Sequence, residues 1–136
     1  MTTFAFHHVG LSVGNLDAER RFYRDAFRLT PEQQAEMPWA GVRMAILHGP
    51  NGLRIELIER TGSTEQNFAD VYDGASVQGY FHFAVQVTDL DTTYDDVLSA
   101  GATSVSAPAA AMMLPGLRYA YVKDPEGNLI ELITPR

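Results

Sequence analysis

Two stretches of this 136-residue chain read GVRMAILHGPNGLRIELIER (residues 41–60) and GLRYAYVKDPEGNLIELITP (residues 116–135). They align without a gap at an offset of 75, and nine of the twenty pairs are identical. Further upstream, HVGLSVGNLD (residues 8–17) aligns with HFAVQVTDLD (residues 82–91) at an offset of 74. Self-similarity at a nearly fixed offset indicates two copies of one structural unit.

Each copy shows the same order of predicted elements. An alternating run of β-branched and aromatic residues opens it, from Phe6 to Val13 and from Tyr80 to Val87, which is typical of a strand with one buried face. An amphipathic helix follows, and three short strands complete the copy, the last two joined by a Pro-x-Gly turn. The sequence therefore predicts an α+β fold: two βαβββ repeats that form a paired, cup-shaped mixed sheet with flanking helices.

The length is that of one ordinary domain, so we expect a single domain over residues 1–136. Repeat one spans about 4–60, a polar connector about 61–79, with a helical turn around 66–72, and repeat two about 80–134. Two irregular stretches, 28–40 and 104–115, precede the strands that begin at Gly41 and Gly116. Because both are apolar near their ends, we expect each of them to cover another part of the structure.

The composition excludes several classes of protein. The net charge of −7 and the isoelectric point near 4.9 argue against nucleic-acid and anionic-membrane partners, which need clustered Lys and Arg. No apolar run approaches the roughly 18 residues of a membrane span, and no leader pattern opens the chain, so a cytoplasmic protein is expected. Because the chain has no cysteine, a bound metal would need His, Asp or Glu ligands.

The repeat places one His and one Glu at equivalent positions in each copy: His8 and Glu56, then His82 and Glu131. A single Glu in a strand usually faces solvent. Two glutamates in identical Ile-Glu-Leu-Ile contexts, each matched with an equivalent histidine, instead favour metal ligation. Two imidazoles and two carboxylates suit one divalent ion, and Ni, Co, Zn, Mn and Fe all accept this set.

Two nearby residues are given other roles. Strand alternation separates His7 from His8 and turns His7 toward the apolar layer under the helix, which predicts a structural role. Glu59 lies just outside the repeat match, and we expect it to be solvated.

Five stretches carry a family resemblance: residues 8–16, 22–25, 55–57, 82–90 and 124–132. Their sequences, HVGLSVGNL, FYRD, IEL, HFAVQVTDL and DPEGNLIEL, resemble the vicinal oxygen chelate superfamily, which contains glyoxalase I, bleomycin-resistance proteins and extradiol dioxygenases. The resemblance implies a metal that binds two adjacent oxygens of a small-molecule substrate. It further implies that Glu131 or Glu56 removes a proton next to a carbonyl and returns it to the neighbouring carbon, the enediolate being stabilised by the metal.

The resemblance leaves the reaction open. A metal-dependent lyase or isomerase of glyoxalase type is the first hypothesis, with a methylmalonyl-CoA epimerase-like isomerase or an iron-dependent ring-cleaving dioxygenase as alternatives. A hypothesis from another class is a non-catalytic sequestering protein of the bleomycin-resistance type. A homodimer is expected, with the four-ligand cleft lying either within one chain or across the dimer.

Glyoxalase I proper needs basic residues for the carboxylates of glutathione, and no arginine here matches securely. The candidates are Arg20, Arg43, Arg54 and Arg118. The residues predicted to line the substrate pocket are Trp39, Arg54, Met112, Met113 and Arg118.

Overall fold

Residues 2–135, which the computed structural model describes, form eight strands, two long α-helices, one short α-helix and two single-turn 3-10 helices at Pro38–Ala40 and Pro50–Gly52. They divide into two compact units, with the boundary between Thr64 and Glu65. The first unit contains β1 (Val9–Val13), α1 (Leu16–Phe27), β2 (Thr30–Met37), β3 (Val42–His48) and β4 (Arg54–Arg60). The second contains α2 (Val71–Gly74), β5 (His82–Gln86), α3 (Leu90–Ser99), β6 (Thr103–Ala110), β7 (Arg118–Lys123) and β8 (Leu129–Ile133). The predicted α+β fold with two βαβββ units is confirmed.

Each unit is a four-stranded mixed sheet with the same strand order. The order is β1-β4-β3-β2 in the first unit and β5-β8-β7-β6 in the second. The first and last strands of a unit pair in parallel, with Gly10 opposite Glu56 and Ala84 opposite Glu131. The other pairs are antiparallel. This pairing places the histidine at the start of a unit beside the strand that carries its glutamate.

One face of each sheet packs against the long helix of its unit. Asn15 caps α1 by accepting a hydrogen bond from Ala18 N at 3.0 Å, and Asp89 caps α3 through Thr92 N at 3.1 Å. The apolar stripe of α1 and the alternate residues of the strands below it are buried, as are their counterparts in the second unit. These core residues include Leu16, Phe22, Tyr23, Ala45, Leu57, Leu90, Val97, Ala120, Val122 and Leu132. The opposite face of each sheet therefore carries the remaining positions, including Glu56 and Glu131.

Three features differ from the sequence-based expectations. The stretches predicted to be irregular each contain an edge strand, β2 or β6; all but the last residue of β2 are exposed, so it shows no apolar alternation. The opening strands begin at Val9 and His82, two or three residues later than predicted. The helical turn of the connector, expected around 66–72, lies at Val71–Gly74.

The prediction that Glu59 is solvated is wrong. Its carboxylate accepts a hydrogen bond from Leu16 N at 2.8 Å, where α1 begins, and from Arg43 Nε and Nη2 at 3.0 and 3.1 Å. These bonds lower the pKa of Glu59 below its ordinary value, the Arg43 bond contributing most. Glu59 therefore ties the last strand of the first sheet to the start of α1.

We expect Glu59→Gln to lower the free energy of unfolding by about 1 to 2 kcal/mol at pH 7, the usual contribution of a helix-end acceptor with a charged partner. Because folding lowers the pKa of Glu59, its stabilisation is complete above the pKa of the unfolded state and disappears as the pH falls through the folded value. Denaturant unfolding of both proteins at several pH values should show the difference shrinking in acid. The exposed Glu65→Gln serves as the control, and a difference that grows in acid would contradict the assignment.

The turns between the last two strands differ chemically between the repeats. In the second unit Asp124 is buried and accepts hydrogen bonds from Glu126 N and Asn128 N, both at 2.9 Å. The equivalent residue of the first unit is Gly49, and a Cβ placed there would lie 2.7 Å from the Leu29 side chain. The turn in the second unit is thus stabilised by the Asp124 carboxylate, whereas the Leu29 side chain fills the corresponding space beside Gly49 in the first unit.

Candidate functional site

His82 and Glu131 lie together on the open face of the second sheet. The distance from His82 Nε2 to Glu131 Oε2 is 3.3 Å, and the side chains are 24 % and 18 % exposed. β5 and β8 are neighbouring parallel strands, which explains why residues 49 positions apart meet. The Nδ1 atom of His82 is buried with no hydrogen-bond partner in the described part of the chain. The other ring nitrogen, Nε2, is the one that faces Glu131.

Tyr121 is a third member of this cluster. Its hydroxyl donates a hydrogen bond to Glu131 Oε2 at 3.2 Å and lies 3.3 Å from His82 Nε2. Burial raises the pKa of Tyr121 above its ordinary value, and the negative charge of Glu131 raises it further. The phenol therefore keeps its proton and remains a donor to the Glu131 carboxylate.

His8 and Glu56 form a looser pair in the first unit. His8 Nε2 lies 3.9 Å from Glu56 Oε2, and the side chains are 37 % and 23 % exposed. The position equivalent to Tyr121 is Ile46, which pairs with Glu56 in the sheet as Tyr121 does with Glu131. Since an isoleucine supplies no hydrogen-bond donor, the two carboxylates have different surroundings.

His7 is exposed, so its predicted place in the apolar layer under the helix is wrong. The described strand starts only at Val9, which frees residue 7 from the strand alternation. The Nδ1 atoms of His7 and His8 lie 2.8 Å apart.

The donor chemistry of both pairs fits a divalent metal. Two ligands at neighbouring corners of an octahedron with bonds of about 2.1 Å lie about 3 Å apart, close to the 3.3 Å of His82 and Glu131. Each unit thus brings one imidazole nitrogen and one carboxylate oxygen together. Within residues 2–135, no group of three or more His, Asp or Glu side chains is arranged to hold a metal ion.

A cavity of about 730 Å³ opens beside His82 and Glu131 in the second unit. Its wall is mostly apolar and aromatic and includes Met112 and Met113, which are 95 % and 90 % exposed. The volume lies within the usual range for pockets that bind small molecules. Met112 and Met113, predicted from the sequence to line a pocket, border this cavity.

The other residues predicted for the pocket, Trp39, Arg54 and Arg118, are not among the described residues that line this cavity. Arg118 is bound by Asp91 of α3 at 2.8 and 3.1 Å, on the helix side of the second sheet, and is not among the described residues that line the cavity. Trp39 is 85 % exposed on a turn of the first unit, and Arg54 of that unit is bound by Glu32 at 2.9 Å.

Tyr121 is the site residue that sequence reasoning missed. Its signal is the offset of 75, at which it replaces Ile46, together with its even spacing of two from Tyr119 on the open face. The ligands were predicted from residues that are identical in the two copies. A tyrosine that occurs in only one copy gives no signal to such a prediction.

No helix within residues 2–135 is both long and apolar enough to span a bilayer.

Comparison with known proteins gives consistent matches. A sequence profile of the Glyoxalase/Bleomycin resistance protein/Dioxygenase superfamily matches residues 5–132. A "probable lactoylglutathione lyase" of Vibrio parahaemolyticus is 31 % identical over 129 residues, covering 93 % of this chain and 87 % of that protein. The lactoylglutathione lyase of Haemophilus influenzae is 30 % identical over 129 residues, covering 93 % and 89 %.

A solved structure shares the fold. The crystal structure of glyoxalase I from Zea mays matches with a TM-score of 0.75 at 22 % identity. The match covers 93 % of this chain and 43 % of the maize chain, so this chain spans less than half of that protein.

Proposed function

This chain belongs to the Glyoxalase/Bleomycin resistance protein/Dioxygenase superfamily, and on that premise we propose that it is a metal-dependent lyase or isomerase of glyoxalase type. Its substrate is a small molecule with two adjacent oxygens, from which it removes a proton next to a carbonyl. The observation that carries the proposal is the pairing of one His with one Glu in each unit, 3.9 Å and 3.3 Å apart. The proposed location is the cytoplasm, and the proposed assembly is a homodimer.

We assign His8, Glu56, His82 and Glu131 as the metal ligands. A divalent ion held by these groups would act as a Lewis acid on the two substrate oxygens. Nickel, cobalt, zinc, manganese and iron all suit nitrogen and carboxylate donors.

Glu131 is the favoured general base, with Glu56 as the alternative. Its carboxylate borders the cavity in which a substrate would lie, and the Tyr121 hydroxyl fixes its orientation. A general base must lie within hydrogen-bond reach of the proton that it removes. A carboxylate whose orientation is already fixed by a hydrogen bond loses less conformational freedom when it reaches that position. In this proposal Tyr121 is a positioning residue that keeps Glu131 turned toward the cavity.

The metal requirement is tested by stripping the protein with a chelator and restoring single divalent ions. We expect turnover to fall at least 100-fold on stripping and to return with one or more of the five metals. The assay panel consists of hemithioacetals, acyl-CoA thioesters and catechols, with oxygen uptake recorded for the catechols. Turnover that survives complete chelation would refute metal dependence, and oxygen-consuming catechol cleavage would assign a dioxygenase instead.

A further inference from the structure

Resting on the proposed function, we propose a substrate class for this site: molecules that are uncharged and apolar or aromatic around the two reacting oxygens. Adducts of an anionic thiol such as glutathione are then poor substrates, although the relatives described above are named lactoylglutathione lyase. The wall of the cavity and the partners of the arginines both favour this class.

The part of the proposed site that the second unit supplies, the cavity beside Glu131, offers no cation to an anionic substrate. None of the described residues that line it is Lys or Arg, and Asp70 adds a second carboxylate to that of Glu131. The remaining wall is formed largely by methionine, leucine, valine and tyrosine side chains. Methionines adapt to irregular apolar ligands and make favourable contacts with aromatic rings, so Met112 and Met113 suit an aryl or alkyl group.

Two of the four candidate arginines, Arg43 and Arg118, each pair with an aspartate of the helix in their own unit, so the same ion pair occurs in both units. Arg118 donates two hydrogen bonds to Asp91 of α3, and Arg43 donates two to Glu59 and lies 3.7 Å from Asp17 of α1. The repeat alignment places Arg43 over Arg118 and Asp17 over Asp91. Both guanidinium groups therefore join a sheet to its helix, on the face away from Glu56 or Glu131.

The other two candidates are also engaged within the first unit. Arg54 Nε donates to Glu32 at 2.9 Å. Arg20 Nη1 donates to Gln34 at 3.3 Å and lies 3.7 Å from Asp17. Capturing a substrate carboxylate with either would first require breaking these contacts.

Lys123 and Arg60 are two further cations of the sheets. Lys123 donates to the Phe68 carbonyl and to Asn67, so its ammonium already has oxygen partners. Arg60 is exposed at the end of β4, four residues beyond Glu56, which corresponds to about 13 Å along a strand. Arg60 is therefore the residue to vary as a check for a remote anchor.

Charge explains why this arrangement selects between thiols. A glutathione adduct carries two carboxylates and one ammonium at neutral pH. Each carboxylate placed without a cationic partner forgoes a charge-assisted hydrogen bond, a loss of about 10-fold or more in affinity. A neutral adduct with the same reacting centre avoids that loss.

A matched pair of substrates tests the proposal. Phenylglyoxal forms hemithioacetals with glutathione and with the neutral thiol 2-mercaptoethanol. In each, the proton leaves the carbon that bears sulfur and hydroxyl, which becomes the thioester carbonyl, and a proton joins the former ketone carbon, which becomes an alcohol. We expect the metal-reconstituted protein to convert the neutral adduct with a kcat/KM at least 10-fold higher. Calorimetry with the two mandeloyl thioester products should likewise give a lower Kd for the neutral thioester than for the glutathione thioester.

Binding and turnover separate the two hypotheses. If neither adduct is converted but the neutral thioester binds at least 10-fold tighter, the proposed reaction fails and the substrate class stands. If the glutathione thioester binds as tightly as the neutral one, the substrate class is overturned whatever the turnover.

Variants of the cavity rim supply an independent test. Met113→Lys introduces the missing cation at an exposed position and should lower the Kd of the glutathione thioester at least threefold relative to the Kd of the neutral thioester. Met113→Leu is the matched control, because it keeps the side chain apolar, and it should leave the ratio of the two Kd values within twofold. Arg60→Ala should leave the glutathione thioester within twofold, and a 10-fold weakening would identify Arg60 as an anchor and refute the proposal.

Discussion

Replacing Glu131 with glutamine is expected to lower kcat by about 10²- to 10⁴-fold at saturating metal and substrate, the usual contribution of a general base. Glutamine keeps the size of the side chain and can still accept the hydrogen bond of Tyr121. It cannot take up a proton as a carboxylate does. The measurement is steady-state kinetics on metal-reconstituted protein, with metal content determined on the same sample.

Glu56→Gln is the matched comparison, because Glu56 occupies the equivalent position in the first repeat. Both variants should bind metal more weakly, since both lose a charged ligand. The variant with the larger fall in kcat once metal is saturating identifies the base. Glu65→Gln controls for removal of a remote charge, and full turnover by Glu131→Gln would exclude Glu131 from the chemistry.

Leu132→Ala is expected to lower the free energy of unfolding by about 2 to 5 kcal/mol, because it leaves a cavity in the core of the second unit. The side chain is fully buried and lies in β8 between Val85 of β5 and Ala120 of β7. Thermal and denaturant unfolding measure the loss, which corresponds to a fall in melting temperature of roughly 10 °C.

Leu114→Ala is the control for Leu132→Ala, since Leu114 is 38 % exposed. Its loss should stay below about 1 kcal/mol. Equal losses for the two variants would mean that the β8 side of the sheet does not form the core described above.

The fold could be predicted because its main features repeat in the sequence. The offset of 75 aligns the strand that carries Glu56 with the strand that carries Glu131, and alternation within each strand separates buried from open positions. The edge strands β2 and β6 are counted in the predicted βαβββ order, but the prediction did not place them and took the stretches that hold them as irregular. A strand that pairs on one side only, with both faces largely exposed, has no apolar periodicity to detect.

The site was predicted in part, and its remaining features depend on contacts that sequence spacing does not encode. The pairing of His82 with Glu131 follows from repeated positions on neighbouring strands. The partners of Arg43 and Arg118 do not follow from sequence spacing. A long side chain on a strand can bind an acid on the helix, or it can bind a ligand on the open face of the sheet. Only the register of the strands, together with Asp17 and Asp91 at the starts of the helices, decides between the two.

The two turns at Gly49 and Asp124 bear on how the halves of a duplicated chain diverge. Leu29 occupies the space that a side chain at position 49 would need. Replacing Gly49 with aspartate would therefore force the Leu29 side chain to move, so the effects of substitutions at positions 29 and 49 should not add independently. The second repeat has the reverse dependence, because Glu126 N and Asn128 N rely on the Asp124 carboxylate. The two turns are therefore not interchangeable between the halves: copying the residue of one repeat into the other at this position would also require the neighbours that accompany it.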